Sequence, residues 1–440
     1  MLCASLWRVR LKFVNREAEL GVLDEAARRG GLLVVFGRRR VGKTRLLRQW
    51  LDKRGGMFSQ ALEGPVALQV GQVFADIRAQ LATRLEPRGW EDLLEILGLQ
   101  NTPWVLCLDE FPYLTAKDPS LPSRLQRWLD HGLPEGCLLV LSGSSMRMMN
   151  DLFLHRAAPL YGRAHKLLHI GPMDYQAFCQ ACGLDARSEG TFEQFACVGG
   201  IPKYWEFIEP GQDAERLAES LFFDFAPYME QEPRRILSDE GVPGTNALGV
   251  LEAVGRGAAR VSEIAARLGT AQTNLSRLLQ QLMDASVLAR DLPYGESSRT
   301  SKRTLYRIQD PAMRFWFSVY SPHRSLWRTY PSAMRKLLIH GHAASVFEDW
   351  CRSLYPGARR HWEKSVEFDL VCPDPDHPAG LLVGEAKWKR LSKSEHASVL
   401  RDLQERWRRS ALAAHHPNAR CEVFDARRLI DDACCKCPHG

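Results

Sequence analysis

The segment 36–44 constrains this chain most, because it reads Phe-Gly-Arg-Arg-Arg-Val-Gly-Lys-Thr between an apolar run and a helical pattern. The apolar run Gly31–Phe36 predicts a buried strand, and residues 45–51 predict a helix. A strand, a glycine loop and a helix in this order are typical of a phosphate-binding loop, whose backbone N–H groups turn toward one centre. An ordinary glycine turn is the alternative. We expect this segment to bind a nucleoside triphosphate.

The residue types in this loop each have an expected part in nucleotide binding. Gly37 and Gly42 allow the tight turn, and Lys43 is expected to reach the β- and γ-phosphates as a catalytic cation. The Thr44 hydroxyl is expected to hold Mg²⁺. The predicted ligands are therefore ATP and Mg²⁺. The residues of this segment expected to contact them are Gly37, Arg38, Arg39, Arg40, Val41, Gly42, Lys43, Thr44 and Arg45.

Length and composition set broad limits on the chain. A length of 440 residues favours about two to four domains, and a hydrophobic content of 45% is typical of a globular chain,. The formal net charge of +7 permits an anionic polymer as a partner without requiring one,. No apolar run reaches about eighteen residues, so no membrane span is expected,. Arg8, Arg10 and Lys12 interrupt the first apolar residues, which argues against a secretory signal and favours a cytoplasmic location,.

The twelve cysteines are mostly single residues within apolar runs. This usage predicts reduced core thiols rather than a disulfide framework. Two clusters have spacings that a metal could use. They are the pair Cys179 and Cys182, within a helical pattern, and the tail at 434–439 with its cysteines and a histidine,. For both clusters, metal binding is the less favoured alternative.

Predicted strands and helices alternate after the loop. Residues 57–61, 104–110 and 137–141 predict strands, and helical periods lie between them,. Such alternation predicts a doubly wound parallel sheet, which binds its ligands at the carboxyl ends of the strands. The predicted fold class is therefore α/β, with the parallel sheet of a P-loop NTPase.

Two acids close the strand predicted at 104–110. Asp109 is expected to hold Mg²⁺, and Glu110 is expected to act as the general base toward the attacking water. The alternative is a surface loop that begins with two acids. The next strand ends at residues 142–145, where Ser144 is expected beside the γ-phosphate, with a simple serine and glycine turn as the alternative.

Arg163 lies at the end of a Pro-Leu-Tyr-Gly-Arg segment. Its guanidinium is a candidate catalytic group that would stabilise the charge developing during phosphoryl transfer. It would act in cis or from a neighbouring subunit, and the second case requires an oligomer. An ordinary surface arginine is the alternative.

Several of these segments together resemble a known family. The similar segments are 13–20, 37–44, 108–114, 141–145, 160–163 and 199–204. They resemble the prokaryotic, mostly archaeal-type P-loop ATPases of the AAA+/STAND-like group, and the resemblance spans nearly the whole chain. It implies that residues 13–16 lie near the adenine and that residues 199–204 begin a helical lid.

Residues 248–290 have the pattern of a compact helical module. Residues 261–269 and 274–282 each predict a helix, and a short turn separates them, which is typical of a helix-turn-helix. The predicted core positions are Ile264, Leu268, Leu275, Leu278 and Leu282. The positions expected to face outward near the second helix, where DNA would be read, are Gln272, Asn274, Ser276 and Arg277.

Residues 287–291 and 305–308 predict a β-hairpin wing with a basic tip. Arg299, Lys302 and Arg303 are expected to contact the phosphates of double-stranded DNA. A protein-packing or regulatory role for the winged helix is the alternative. The aromatic residues that follow, at 310–317, are expected to form core at a domain junction rather than a stacking platform.

A second candidate site lies within residues 336–429. Asp369 stands near the end of one predicted strand, and alternation puts Glu385 and Lys387 on one face of the next,. This pattern resembles the PD-(D/E)XK nuclease core, and the family resemblance implies that a nuclease-like domain of unknown function often ends such chains.

The C-terminal residues have expected roles in metal-assisted chemistry. Asp369 and Glu385 are expected to hold Mg²⁺, Lys387 is the candidate catalytic group, and Glu348 is a possible additional acid. An inactive structural relic is the alternative. The basic residues of the next helix would line a polyanion groove or simply face solvent; they are Arg401, Arg406, Arg408 and Arg409.

The sequence thus predicts three parts. They are a P-loop ATPase domain with a helical lid at 1–235, a winged helix-turn-helix domain at 240–320, and a small α/β restriction-endonuclease-like domain at 335–430. One hypothesis is an enzyme that hydrolyses ATP and, conditionally, cuts DNA. The other is a nucleotide-dependent regulatory switch whose C-terminal domain only binds nucleic acid or a partner. No membrane partner is expected.

Overall fold

A parallel sheet of five strands forms the centre of the N-terminal region in the computed structural model. The structure describes residues 11–83, 85–297, 299, 301, 303–363, 366–377, 380–416 and 419–430. The strands are β1 (Gly31–Phe36), β2 (Met57–Gln60), β3 (Val105–Asp109), β4 (Leu138–Gly143) and β5 (Ala164–His169). Their order in the sheet is β2-β3-β4-β1-β5, and every neighbouring pair is parallel.

Helices cover both faces of this sheet. They are α1 (Glu17–Arg29), α2 (Lys43–Arg54), α3 (Val66–Ile77), α4 (Trp90–Gly98), α5 (Phe111–Lys117), α6 (Leu121–His131) and α7 (Met146–Phe153). Alternate residues of β1 enter different cores, because successive strand side chains point to opposite faces. Leu33 and Val35 pack on the side of α1 and α2, while Leu32 and Val34 pack on the side of α3 to α7. The predicted α/β fold with a parallel P-loop NTPase sheet is confirmed.

A helical region follows the sheet. Its helices are α8 (Tyr175–Cys182), α9 (Glu189–Val198), α10 (Pro202–Trp205), α11 (Ala214–Ala218) and α12 (Glu232–Asp239), with a π-helical turn at Glu219–Phe223. The expectation that residues 199–204 begin this region is wrong, because α8 and α9 precede them. Gly199 instead ends α9 with a φ of 62°, a left-handed conformation that favours glycine,.

The helix-turn-helix module comprises α13 (Gly244–Gly255), α14 (Val261–Leu268) and α15 (Gln272–Asp284). The hairpin of β6 (Leu288–Asp291) and β7 (Leu305–Ile308) forms the wing. Of the predicted core positions, Ile264, Leu275 and Leu282 are buried, and Leu268 and Leu278 are half-buried.

The chain then passes through α16 (Pro311–Phe315), a π-helical turn (Trp316–Tyr320), α17 (Ser321–His323) and the long helix α18 (Ser332–Ser353). Met313, Phe315 and Phe317 are almost fully buried, which confirms the prediction of core at this junction.

A second sheet lies near the C-terminus. Its strands are β8 (Arg359–Trp362), β9 (Glu367–Pro373), β10 (Leu381–Lys387) and β11 (Arg420–Asp425), in the order β11-β10-β9-β8, and α19 (Lys393–Arg408) crosses between β10 and β11. The neighbours β8 and β9, and β9 and β10, are antiparallel, whereas β10 and β11 are parallel.

The helical region and the C-terminal sheet share one apolar core. The Phe192 ring of α9 lies 5.8 Å from that of Trp350 in α18 and 4.7 Å from that of Trp388 after β10. The regions predicted as separate first and third domains therefore pack together through aromatic side chains, and their boundaries stay a prediction.

None of the helices in the described ranges combines the length and the hydropathy that a membrane span needs.

Candidate nucleotide site and C-terminal acid site

The loop at 37–42 joins the carboxyl end of β1 to the first turn of α2. Gly42 directly precedes the helix with a φ of 101°, and a Cβ atom there would be strained although it would meet no heavy atom within 4 Å,. Because α2 begins at Lys43, its unpaired N–H groups and the positive end of its dipole face the space above this loop,. The backbone therefore has the form of an anion-binding loop, as the sequence predicts.

Lys43 is held by the loop itself. Its Nζ atom donates to the carbonyl oxygen of Gly37 at 2.8 Å and of Arg38 at 3.2 Å, and to Ser144 Oγ at 3.1 Å. Burial lowers the pKa of Lys43, and the carboxylates of Glu110 and Asp109 oppose that shift. Its ammonium group is thus buried beside both predicted acids.

Thr44 and Asp109 bring two side-chain oxygen atoms together beside the loop. The Thr44 hydroxyl donates to Asp109 Oδ2 at 2.5 Å, and Asp109 is fully buried at the end of β3. Mg²⁺ prefers oxygen ligands and usually binds through one or two carboxylates together with phosphate oxygens and water. These two side chains therefore fit Mg²⁺ chemistry.

Glu110 adopts a strained backbone conformation just after β3. Its φ is 55° and its ψ is 40°, in the left-handed region, which costs a residue with a side chain about 1–3 kcal/mol,. The conformation directs its carboxylate toward Ser144, whose hydroxyl donates to it. Ser144 therefore bridges Lys43 and Glu110, and the structure brings together Lys43, Thr44, Asp109, Glu110 and Ser144 as the sequence predicts.

Each of the three arginines of the loop pairs with a carboxylate from a later part of the chain. Arg38 pairs with Asp310 at 3.2 Å in a buried contact, and Arg39 pairs with Asp239 at 3.0 Å near the surface. Arg40 pairs with Glu232, which also accepts from the Tyr204 hydroxyl at 2.7 Å.

The predicted contact of Arg38, Arg39 and Arg40 with ATP stays a prediction. Acids of α12 and of the N-cap of α16 neutralise the guanidinium groups,.

The side chains of Val41 and Arg45 contact other parts of the protein, and the predicted contact of these two residues with ATP stays a prediction. The Val41 side chain is fully buried, and the Arg45 guanidinium donates to Leu11 O at 2.6 Å and lies over the Phe13 ring. Arg16 donates to Val41 O at 3.3 Å. The N-terminal segment therefore lies against the back of the loop, and its contact with adenine stays a prediction.

Arg163 lies at the opposite end of the sheet from the loop. It directly precedes β5, whose first residue Ala164 pairs with Leu32 near the start of β1. Its guanidinium forms a two-pronged contact with Asp130, at 3.1 and 3.0 Å. A catalytic role in cis is therefore wrong, because the strands separate Arg163 from the carboxyl ends of the sheet. A role from a neighbouring subunit stays a prediction.

Glu240 is a site residue that the sequence analysis missed. Its carboxylate accepts from the backbone N–H groups of Met146 and Arg147, each at 3.1 Å, at the start of α7. It thereby fixes the helix that follows Ser144. Burial raises the pKa of Glu240, and these hydrogen bonds lower it. Residues 232–240 contain three acids, which are Glu240 and the partners of Arg39 and Arg40, but two arginines lie among them and the local sequence does not mark these acids as site residues.

The predicted recognition helix leaves its first turns open. Gln272, Asn274, Ser276 and Arg277 are all exposed, as expected. The wing differs from expectation, because Arg303 pairs with Glu296 and donates to Trp362 O at 3.1 Å. The hairpin tip thus packs on β8. Arg299 is exposed, and Lys302 lies outside the described residues.

The C-terminal sheet and α18 bring four predicted side chains to one place. Lys387 Nζ lies 2.7 Å from Glu385 Oε1, and Asp369 Oδ2 accepts from the backbone N–H of Ala386 at 2.9 Å. Burial and, as the second cause, the nearby Asp369 carboxylate raise the pKa of Glu348 to about 7. Burial and Glu385 likewise raise the pKa of Asp369.

Basic side chains occupy part of this acid site. Arg406 lies 3.0 Å from Glu385 Oε2, so the two Glu385 oxygens face Lys387 and Arg406. Within the described ranges, no group of three or more His, Cys, Asp or Glu side chains could hold a metal ion. A metal at Asp369 and Glu385 would therefore rest on two carboxylates and water, which suffices for Mg²⁺. Arg401, Arg408 and Arg409 are exposed on α19.

The described cysteines are free thiols. Burial raises the pKa of Cys179 and of Cys182 to about 12, so both stay protonated and are poor metal ligands,. This agrees with the expected core thiols. The tail at 434–439 lies outside the described residues.

Comparison with known proteins identifies two segments. Residues 13–206 match the family described as an ATPase domain predominantly from Archaea. Residues 245–292 match the IclR helix-turn-helix domain. An uncharacterised protein of Methanocaldococcus jannaschii is 26% identical over 429 residues, which cover 91% of this chain and 92% of that protein.

A solved ATPase structure shares the fold of this chain. The Walker-type ATPase of Pyrococcus abyssi gives a TM-score of 0.52 at 20% identity, covering 71% of this chain and 100% of the other. The ORC2 protein of Aeropyrum pernix gives a TM-score of 0.42 at 14% identity, covering 76% and 95%. Residues 13–206 are therefore similar to the archaeal-type ATPase domain family, and residues 245–292 are similar to the IclR helix-turn-helix domain.

Proposed function

We propose that this protein binds ATP with Mg²⁺ at the loop and hydrolyses it, and that the nucleotide state controls how the winged helix engages DNA. The observation that carries the proposal is the convergence of Lys43, Thr44, Asp109 and Glu110 at the carboxyl ends of β1 and β3. Ligands of doubly wound sheets bind at this edge.

Each residue has a distinct part in the proposed hydrolysis. Lys43 and the first amides of α2 hold the terminal phosphates, and Thr44 and Asp109 hold Mg²⁺, which neutralises charge on the phosphates. Glu110 accepts a proton from the attacking water. Ser144 orients the Glu110 carboxylate through its hydroxyl.

The loop arginines supply the proposed link to the rest of the chain. Arg38 reaches Asp310, the N-cap of α16, which follows the wing directly, and Arg39 and Arg40 reach the two ends of α12. A loop that adjusts to bound phosphates shifts these pairs. The free energy of a buried ion pair depends strongly on the positions of its two charged groups. Such a shift therefore changes the relative free energies of the conformations that α12 and the winged helix adopt.

Replacement of the proposed base tests the first function. Glu110→Gln keeps the size of the side chain but cannot accept the proton, so single-turnover ATP hydrolysis should slow by about 100-fold or more. ATP affinity should stay within about threefold, which corresponds to well under 1 kcal/mol. The matched control is Glu135→Gln at an exposed position of the same domain. Fast hydrolysis by Glu110→Gln would remove Glu110 from this role.

A DNA titration tests the second half of the proposal. The affinity for labelled duplex DNA should differ between the ATP-bound Glu110→Gln protein and the nucleotide-free protein, because the proposed link couples the two sites. Arg277→Ala in α15 should weaken duplex binding in both states, because it removes an exposed cation of the recognition helix,. Equal DNA affinity with and without ATP would contradict the link.

The C-terminal site supports a second candidate function, metal-dependent cleavage of nucleic acid. The specific observation is that Glu348, Asp369, Glu385 and Lys387 converge from one helix and two strands. Asp369 and Glu385 would hold Mg²⁺, which would activate water, and Lys387 would offset charge developing on the phosphate. The rival function is a regulatory switch whose C-terminal domain only binds.

Cleavage assays separate these two candidates. Single- and double-stranded DNA are incubated with Mg²⁺ or Mn²⁺, with and without ATP. Lys387→Ala should abolish cutting, whereas Lys389→Ala, which removes an exposed lysine paired with Glu395, should not. If the unaltered protein cuts no DNA under any of these conditions, the regulatory switch is supported.

A further inference from the structure

A cavity of about 660 Å³ lies between the wing and the C-terminal sheet. Its walls come from β6 and β7 on one side and from α18 and β8 on the other. Five arginines and two aspartates line it; they are Arg290, Arg307, Arg352, Arg359, Arg360, Asp291 and Asp349. Basic groups thus outnumber acidic groups in its lining.

The arginines of this cavity fall into two groups. Arg307 and Arg352 pair with Asp349, and Arg360 pairs with Glu367 at 2.6 Å, so these cations are fixed in place by carboxylates. Arg290 and Arg359 are exposed, and neither forms an ion pair with a carboxylate in the part of the chain that the structure describes. Their guanidinium groups have the planar geometry that suits phosphate.

The cavity is continuous in its lining with the acid site. Arg352 and Arg360 also line a neighbouring cavity, which Glu348 borders. The Arg352 guanidinium donates to the carbonyl oxygen of Asp369 at 2.7 Å. Arg352 therefore connects the cavity to Asp369, since it lines the cavity and contacts the backbone of this residue of the acid site.

We propose that this cavity, the arginine cleft, binds the phosphate backbone of a single nucleic-acid strand and leads it to the C-terminal acid site. The volume lies within the range of about 300–1,000 Å³ that suits a ligand of a few rings, so it fits one or two nucleotides rather than a duplex. Duplex DNA binds instead at the open face of α15. This inference rests on the proposed nucleic-acid function and names its substrate class.

A double substitution that removes two arginine charges tests the arginine cleft in the whole chain. The probe is a fluorescent single-stranded DNA of about 12 nucleotides, a length within known single-strand site sizes, followed by anisotropy. Arg290→Ala combined with Arg359→Ala should weaken binding by about tenfold or more. The slope of log affinity against log salt should fall by about 1.4, because each phosphate contact on a single strand contributes about 0.7.

Two further variants control for charge and folding. Arg28→Ala combined with Arg29→Ala removes the same charge from exposed positions of α1 and should leave binding unchanged. Arg290→Lys combined with Arg359→Lys keeps the charge and should restore most of the affinity, while losing the bidentate geometry. Equal affinity of the alanine pair and the unaltered protein, or an equal loss in the α1 control, would overturn the proposal.

A titration with inorganic tripolyphosphate distinguishes a binding site for a nucleic-acid strand from a binding site for a small anion. It is titrated into proteins carrying Lys43→Ala, so that the nucleotide loop does not compete. If tripolyphosphate binds and the cleft variant abolishes this, while single-strand affinity is unchanged, the cleft is a small-anion site and the strand proposal is wrong. ATP hydrolysis and duplex binding of the cleft variants with Lys43 intact report separately on the proposed function, since Arg290 and Arg359 lie outside the nucleotide loop and outside α15.

Discussion

The nucleotide site and the C-terminal acid site differ in how their residues reach each other. At the nucleotide site, Lys43 and Thr44 are neighbours in one motif, and the loop positions both directly. At the acid site, Glu348, Asp369 and Glu385 come from three separate elements. The local backbone conformation positions the residues of a contiguous motif. The residues of a dispersed site are positioned only when every element that contributes to the site packs correctly.

The two sites also differ in how their charges are satisfied. Lys43 is held by backbone carbonyls and a serine hydroxyl, and its charge remains available for an anion. Both Glu385 oxygens are instead paired with cationic side chains, Lys387 and Arg406. A metal at the acid site must therefore compete with ion pairs, and we expect it to bind more weakly than at the nucleotide site.

Loss of Lys43 should produce the largest effect. Lys43→Ala removes the buried cation of the loop, so ATP affinity should fall by about 100-fold or more, measured by titration calorimetry. Lys53→Ala, at an exposed position on the same helix, is the control and should bind ATP normally. ATP binding by Lys43→Ala at the original affinity would contradict the assignment of the site.

A metal titration should show a smaller effect at the acid site. In a protein carrying Asp109→Asn, which disables the nucleotide site, Asp369→Asn should weaken Mn²⁺ binding by about tenfold, because one of two carboxylate ligands is lost. Asp376→Asn, an exposed residue of the same domain, is the control. Unchanged Mn²⁺ affinity in Asp369→Asn would place the metal elsewhere.

The coupling between loop and winged helix should be measurable as a free energy. A double-mutant cycle with Arg38→Ala and Asp310→Asn should give an interaction energy of about 1–2 kcal/mol in unfolding experiments, because the pair is buried,. The exposed pair Arg39 and Asp239 should give less than about 1 kcal/mol,. A zero value for Arg38 and Asp310 would remove this contact from the proposed link.

The pH dependence of Glu348 should give the smallest effect. Its pKa of about 7 in the folded chain exceeds the ordinary value of 4.5, so the folded state binds the proton more tightly. The free energy of unfolding should therefore fall as pH rises from 4.5 to about 7 and then level off, by on the order of 1 kcal/mol for this partly solvated group,.

A substitution isolates this contribution. Glu348→Gln should remove this part of the pH dependence, as measured by urea unfolding at several pH values, while Glu405→Gln at an exposed position should retain it. An unchanged pH profile in Glu348→Gln would show that another group titrates.

Regular local patterns were predictable from the sequence. The strand, loop and helix around Lys43, the buried strand before Asp109 and the two helices of the helix-turn-helix all agree with the structure, because short periodic patterns report burial directly,.

Side-chain partners far apart in sequence were not predictable. Nothing local to Arg38 indicates Asp310, which lies 272 residues later, and nothing near Arg303 indicates that the wing packs on β8. Arg163 resembles a catalytic arginine by its segment, but the parallel register of β5 puts it at the wrong end of the sheet.

What the sequence by itself determined is the chemistry of the loop and the alternation that builds the sheet around it. Both arise from backbone and burial preferences of residues that are neighbours in the chain. Only the tertiary structure decided which acids neutralise the loop arginines, where Arg163 lies, and how the arginine cleft meets the acid site. Those contacts depend on packing between elements hundreds of residues apart, where ion pairs and aromatic cores select one arrangement among many,.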